Sequence, residues 1–355
     1  MCPEHAVTLC IVNYEGADYL PRALDAARCS TTPFAEILVV DNGSTDGGIA
    51  WLRSECPEAR IIELAGNRGP AAARNAGFAA ARHDLILFQD NDVQLEGTTA
   101  ATLLEALLAS SRALLVAPRV LYAADPSIVQ YDSADCHFLG LMTTRNADLA
   151  WKGLDTDIAH TTSLVTACFL IDRSRWRDRA PFDEWFGFNL EDHDFGVRAR
   201  VLGHDLLVAP AAMVLHGAGT AGLSYRAGGA VPEERVFYLI RNRWSVITKA
   251  FALRSLLVLS PVLFCYELLQ LAGAARNGWL RPWNAALRSW WRELPRLRQD
   301  RAALQRARVA SDAQVLRGGP LPLTNAVKKR PLARLAIGAL QAVSNAYWRA
   351  ARRII

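Results

Sequence analysis

The chain has 355 residues, 51% of them hydrophobic and 21% charged, which allows one large core or two smaller ones and excludes a disordered or fibrous chain. Its net charge of +5 conceals a split: residues 1–240 hold 19 Lys/Arg against 31 Asp/Glu, a net of −12, whereas residues 241–355 hold 21 against 4, a net of +17. Seven scattered cysteines (Cys2, Cys10, Cys29, Cys56, Cys136, Cys168 and Cys265) without C-x-x-C spacing indicate neither a zinc site nor a disulfide framework and point to a reducing, cytoplasmic compartment.

The start of the chain, Met1-Cys2-Pro3-Glu4-His5, lacks the basic and apolar regions of a signal peptide, so export is not expected. Residues 7–13 and 36–41 are short β-branched apolar runs that end in polar residues and are separated by a helix-length stretch, a βαβ beginning. Runs at 60–64 and 85–88, with a small-residue helix over 71–81 between them, continue the alternation. They predict an α/β fold with a mostly parallel, doubly wound sheet. Beyond Val116 the pattern loosens. It resumes with an apolar run at 164–171, a helix from near Asn189 through Leu202, and two short strands at 206–209 and 213–215.

From Trp244 the character changes. Residues 256–266 are uncharged and apolar, bounded by Arg254 and Glu267, shorter than the roughly 18 residues of a membrane-spanning helix and interrupted by Pro261. The expectation is a re-entrant or interfacial hairpin, with a buried core helix as the alternative. Trp279, Trp283, Trp290 and Trp291 interleave with Arg276, Arg281, Arg288 and Arg292, a combination suited to the headgroup depth of an anionic membrane. A solvated, Arg-rich stretch, a break at Gly318-Gly319-Pro320 and an amphipathic basic helix over about 331–353 complete the chain. The expected organisation is a catalytic-type domain over 1–243, a hydrophobic and basic helical region over 244–317 that associates with membranes, and a terminal segment over 318–355.

The most informative stretch is 85–94, where a buried apolar run delivers Asp90 and Asp92 to a strand's carboxyl end, the ligand-binding edge of open α/β sheets. Such a pair can hold a hard divalent cation, although an ordinary turn favours the same residues. Asp41-Asn42-Gly43-Ser44 ends another strand with groups able to bond a base or ribose; the plainer reading is a turn in which Asp46 caps a helix. Asn67, Arg74 and Asn75 flank a Gly-Pro loop from which Arg74 could grip a diphosphate, or they decorate a tightly packed Ala-rich helix. Glu191, Asp192 and Asp194 fall in the first turn of a helix capped by Asn189, where a macrodipole favours acids and one carboxylate could serve as an ionised general base. His216 precedes a Gly217–Gly222 G-x-G-x-x-G that lacks the following helix of a dinucleotide site and reads better as a mobile loop beside a metal or phosphate contact.

In this order the elements resemble an inverting glycosyltransferase of family 2 with the GT-A fold, over roughly residues 5–245. The resemblance is carried by the Val-Asn-Tyr opening strand, Val40 to Gly47, the Asn67 to Gly77 segment, Asp90-Asn91-Asp92, and Glu191-Asp192-His193-Asp194 followed by Arg198 and Gly203. Tyr238-Leu239-Ile240-Arg241-Asn242-Arg243 is similar to a rhamnosyltransferase-like branch. The resemblance implies that Asn13, Tyr14, Glu15 and Asp41 surround the nucleotide, with Asn42, Ser44, Asn67 and Arg74 as further donor contacts. It also implies that Asp90 meets the ribose or the metal, that Asp92 binds Mn²⁺ or Mg²⁺, and that His216 is an additional metal or diphosphate contact. Asp192, with Glu191 as second choice, would deprotonate the acceptor. Gln89, Asn91 and Pro70 depart from the family pattern.

The implied reaction moves a sugar from a UDP- or dTDP-linked donor to a glycan or lipid-linked acceptor in cell-surface polysaccharide synthesis, at the inner face of the cytoplasmic membrane. Nucleic acid is not an expected partner. Residues between Leu121 and Thr162 are expected to set sugar and acceptor choice. The competing readings are a two-carboxylate glycoside hydrolase using Asp92 and Asp192, and a catalytically silent, membrane-associated sugar-nucleotide binder.

Overall fold

The computed structural model describes residues 5–176, 180–217, 232–321 and 331–355; most of the glycine loop after Gly217 lies outside them. Strand β1 (Val7–Asn13) is buried on both faces, as an interior strand of a helix-covered sheet must be. It pairs in parallel with β2 (Glu36–Asp41) and β4 (Leu85–Asp90), and β2 pairs with β3 (Arg60–Glu63). Helices α1 (Leu20–Arg28), α2 (Gly48–Glu55) and α3 (Pro70–Ala80) make the crossovers. Small residues let α3 approach the sheet closely: a Cβ on Gly77 would lie 2.4 Å from the Cys10 sulfur. Pro70 stands at the first position of α3, where a missing N–H costs nothing.

Parallel register aligns the strand ends, with Asn13 opposite Asp41 and Val12 opposite Asp90. Beyond them come β5 (Val93–Leu95), α4 (Thr99–Leu108), β6 (Ala113–Tyr122) and β7 (Asp125–Tyr131). A small second sheet contains β8 (Ala134–His137) and β9 (Met142–Thr144), and β10 (Ala159–Thr161) lies at the edge of the main one.

The sheet departs from the parallel expectation at β11 (Cys168–Asp172), which lies antiparallel between β4 and β6. Only the second half of the 164–171 run is strand. The two short strands expected at 206–209 and 213–215 are one strand, β12 (Asp205–His216), whose register with β6 breaks between Ala209 and Met213, around Pro210, which has no N–H to donate. The end of β12 pairs with β5, placing His216 opposite Val93.

Helix α5 (Glu191–Val201) begins two residues later than expected. Its first flanking residue is Leu190 in a left-handed conformation, with no side-chain cap from Asn189. Likewise Gly47, not Asp46, is the N-cap of α2, although the Asp46 carboxylate still accepts the Gly48 N–H at 3.0 Å.

The C-terminal region holds α6 (Glu233–Ala250), α7 (Leu253–Arg276), α8 (Leu280–Arg306), α9 (Asp312–Val315), β13 (Leu316–Arg317) and α10 (Pro331–Ala351). The expected boundary at 243/244 falls inside α6, and one apolar cluster joins Phe138, Phe186 and Val197 to Val246, Ile247, Leu259 and Leu263. Helix α7 corrects the hairpin expectation. It runs unbroken for 24 residues through Pro261, and the Ser260 hydroxyl donates to the Leu257 carbonyl at 2.9 Å, the acceptor that Pro261 cannot serve. By length and composition it could cross a membrane, and 11% of its most apolar window is buried, so it is not a helix buried all round. Leu253, Leu257 and Phe264 are 64–68% exposed, while Leu259 and Leu263 pack inward.

Candidate active site

The ends of β1 and β2 form a cradle held by its own polar groups. The Asn13 amide donates to Asp41 Oδ1 at 2.8 Å and to the Ser44 hydroxyl at 3.2 Å; Asp41 Oδ1 also accepts the Ser44 hydroxyl, and Oδ2 accepts the Gly43 and Ser44 N–H groups. Asp41 is thus committed to shaping the loop. Glu15 accepts the Thr45 N–H at 2.9 Å, and its own N–H donates to Ser44 Oγ. Asn42 accepts the Arg68 N–H and donates to Asn67 Oδ1 and the Gly69 carbonyl, which brings the 67–69 loop against the cradle. Gly43 has φ +82°, and a Cβ there would meet Gly66 Cα at 2.5 Å; no other residue fits. Asn91, one of the departures in the sequence, donates to Asn13 Oδ1 and the Tyr14 carbonyl, and so ties the acidic turn to the cradle.

Asp90, Asp92 and His216 converge, each offering one ligand atom, all within 4.8 Å of one another. β5–β12 pairing causes this. His216 is 2% exposed, its Nδ1 lies 2.6 Å from Gln130 Oε1 and its Nε2 lies 3.2 Å from Asp92 Oδ1. The Gln130 contact at Nδ1 fixes the ring so that Nε2 is turned toward the Asp92 carboxylate. The donor set, two carboxylates and an imidazole, fits a divalent ion such as Mn²⁺. Gln130 was not foreseen, since nothing in the local pattern marks a residue that acts across strands.

Arg74, expected to face a diphosphate, is instead buried, with Nη2 2.6 Å from Asp90 Oδ1 and Nη1 3.6 Å from Glu191 Oε1. Burial lowers its pKa, but Asp90, Glu191 and Asp192 outweigh that and hold the guanidinium above its ordinary value. The expectation that the helix terminus keeps the α5 acids freely ionised is also revised: burial pushes the Glu191 carboxyl well up, and the neighbouring Asp192 charge adds to it. Asp192 is raised less. Burial lifts it, while the His193 N–H, which it accepts at 2.7 Å, and Arg74 hold it back.

The α5 start is fixed from three sides. The Ser163 hydroxyl meets His193 Nδ1 at 2.7 Å, a Cβ on Gly196 would strike the 163–164 backbone at 2.9 Å, and Lys249 Nζ reaches Asp194 at 2.7 Å.

Sheet order and strand-end acids define a GT-A protein, the nucleotide-diphospho-sugar fold. A likeness of fold supports this: the crystal structure of GalNAc-T7 with UDP, GalNAc and Mn²⁺ matches with a TM-score of 0.55 at 15% identity, over 70% of this chain and 48% of that one. The family model described as glycosyl transferase family 2 matches residues 8–173, a little under half of the chain.

Among its relatives, an uncharacterized glycosyltransferase of Nostoc is 37% identical over 24% of this chain and 28% of its own length. The succinoglycan biosynthesis protein ExoO of Rhizobium meliloti is 39% identical over 24% and 25%. The N-acetylglucosaminyl-diphospho-decaprenol L-rhamnosyltransferase of Mycobacterium tuberculosis is 27% identical over 58% and 74%. The matched part of the chain thus spans about a quarter of the first two relatives' lengths.

Proposed function

We propose that this protein transfers a sugar from a UDP- or dTDP-linked donor to a hydroxyl of a glycan or lipid-linked acceptor, with inversion, in cell-surface polysaccharide synthesis. The observation that carries the reading is the Asp90, Asp92 and His216 cluster, with the His216 ring oriented by Gln130, at the sheet edge that also bears the Asn13 and Asp41 cradle. The names of the relatives support the pathway class. Asp90, Asp92 and His216 would hold a divalent ion, which supplies positive charge for the departing nucleoside diphosphate. The cradle orients the nucleotide, and Arg74 lowers the cost of keeping Asp90, Glu191 and Asp192 together. Asp192, less raised than Glu191, accepts the proton of the acceptor hydroxyl at its carboxylate. One base suffices for a single displacement.

The acceptor side of the reading is peripheral attachment to an anionic membrane. One face of α7 is packed against the body, with Arg243 Nη1 3.0 Å from Glu267 and Leu259 and Leu263 buried, while the opposite face presents Leu253, Leu257 and Phe264 beside exposed Arg254. A helix packed along one side and apolar on the other suits the interface plane.

Calorimetric titration of UDP, dTDP and GDP, with and without Mn²⁺, into wild type and Asp92→Ala tests the donor site. Metal-dependent binding of one nucleotide, lost in the variant, is expected. Binding of none of them overturns the transferase reading and favours a hydrolase.

A further inference from the structure

The loop that enters α5 is held in a costly shape. Gly187, Asn189 and Leu190 have φ of +67°, +63° and +65°, and for Asn189 and Leu190 the left-handed region is unfavourable by about 1 kcal/mol or more each. Such backbone persists only where its surroundings over-determine it. Here the surroundings come from α6. The Asn242 carboxamide, fully buried, directs its Nδ2 at three carbonyls of the loop: Phe186 at 3.0 Å, Phe188 at 3.1 Å and Asn189 at 2.6 Å.

Arg241 supports the clamp. It donates to the Trp185 and Phe186 carbonyls at 2.8 and 2.7 Å, accepts stacking from Trp185 at 4.1 Å, and orients Asn242 by donating Nε–H to its Oδ1 at 2.9 Å. That last bond assigns the amide: with Oδ1 occupied by a guanidinium donor, both Nδ2 protons are left for the carbonyls. The same loop touches the donor side, because a Cβ on Gly69 would lie 2.6 Å from the Gly187 carbonyl oxygen.

We infer that Asn242 is a positioning residue for the reaction proposed above: through three carbonyls it sets the left-handed loop that delivers Glu191 and Asp192 to Arg74 and Asp90. The inference rests on the transferase reading for its effect on rate, but its structural part stands alone. A displacement of about 1 Å at a reacting group can lower a rate by about a hundredfold. Asn242→Ala should therefore lower kcat by about tenfold to a hundredfold, with the donor KM and the affinity for UDP or dTDP with Mn²⁺ changed by less than about threefold, since the cradle and the acidic cluster do not contact Asn242.

The experiment pairs two measurements on full-length wild type and Asn242→Ala. Amide hydrogen exchange in the absence of ligand is expected to rise over residues 186–194 and to stay unchanged over 7–13 and 36–44. Turnover of UDP-glucose, UDP-N-acetylglucosamine and dTDP-rhamnose, the sugar passing to water in place of the acceptor hydroxyl, is followed as nucleoside diphosphate release. Should the variant melt more than about 5 °C below wild type, Asn242→Ser, which keeps one donor, takes its place, with an intermediate loss expected. Unchanged exchange over 186–194 overturns the inference whatever the activity. Loss of kcat together with nucleotide affinity also overturns it, because the role is then general folding. Raised exchange in a protein whose wild type turns over none of the three donors upholds the clamp and counts against the transferase reading instead.

Discussion

The cradle at the ends of β1 and β2 and the acidic start of α5 solve opposite problems with the same residue type. Asp41 has its carboxylate filled by Asn13, Ser44 and two backbone N–H groups; it is spent on shape. Glu191 and Asp192 are buried beside each other with one shared cation, and both are pushed toward protonation. A satisfied carboxylate makes a rigid surface for a ligand. A crowded one is poised to exchange a proton.

The sharpest way to break this comparison is to exchange the two carboxylates for amides. Asp192→Asn should lower kcat by about a thousandfold, within the range for loss of a general base, while nucleotide binding persists. Asp41→Asn should do the reverse, weakening nucleotide binding first, because an amide cannot accept from four donors. Parallel loss of both properties in both variants would erase the distinction, and steady-state kinetics with calorimetry decides it.

Between the two regions lies the acidic cluster. Gln130→Ala frees the His216 ring and should weaken Mn²⁺ binding by about 10- to 100-fold, read as the Mn²⁺ concentration giving half-maximal nucleotide binding. An unchanged requirement would mean that the Gln130 contact to Nδ1 does not orient the ligand.

A pH profile sharpens the α5 side. Asp192 is raised to about 6, so wild-type kcat should fall as pH drops through that region, above the ordinary aspartate range. Arg74 opposes the rise, so in Arg74→Gln the carboxylate is protonated more easily and the acid limb should move to higher pH, by about one unit. Movement to lower pH would contradict the placement of Arg74 beside the pair.

The smallest effect belongs to the cradle. Ser44→Ala removes a hydroxyl that serves Asn13, Asp41 and the Glu15 N–H, and should cost about 1 kcal/mol in denaturant unfolding with nucleotide affinity changed by less than about threefold. A much larger loss of affinity would make Ser44 a direct ligand contact.

The cradle and the Asp90/Asp92 turn were legible in the sequence because a parallel sheet brings consecutive strand ends into line, and each residue sits where its own strand stops. The α5 site was legible only as a list of acids. Its protonation depends on Arg74, more than a hundred residues upstream, and its entry loop on Asn242, about fifty downstream, and no local periodicity records such pairings. Helix α7 was misjudged for a local reason: Pro261 predicts a break, yet the helix runs through it, with the Ser260 hydroxyl serving the Leu257 carbonyl that Pro261 leaves open. The fusion of two short segments into β12 was hidden by Pro210, which breaks register without ending the strand.

The pairing of β5 with β12 has a thermodynamic consequence. Asp92 and His216 stand far apart in the chain and meet only because three residues of β5 zip onto the end of β12. An ion shared by those two side chains acts as a clasp on that seam, since the unfolded chain offers no such site. Its binding energy becomes folding energy, about 2.7 kcal/mol at a hundredfold excess over its dissociation constant. The melting temperature should then climb with Mn²⁺ in the wild type and stay flat in Asp92→Ala, so that heat alone, with neither donor nor acceptor present, reads out whether the seam is fastened.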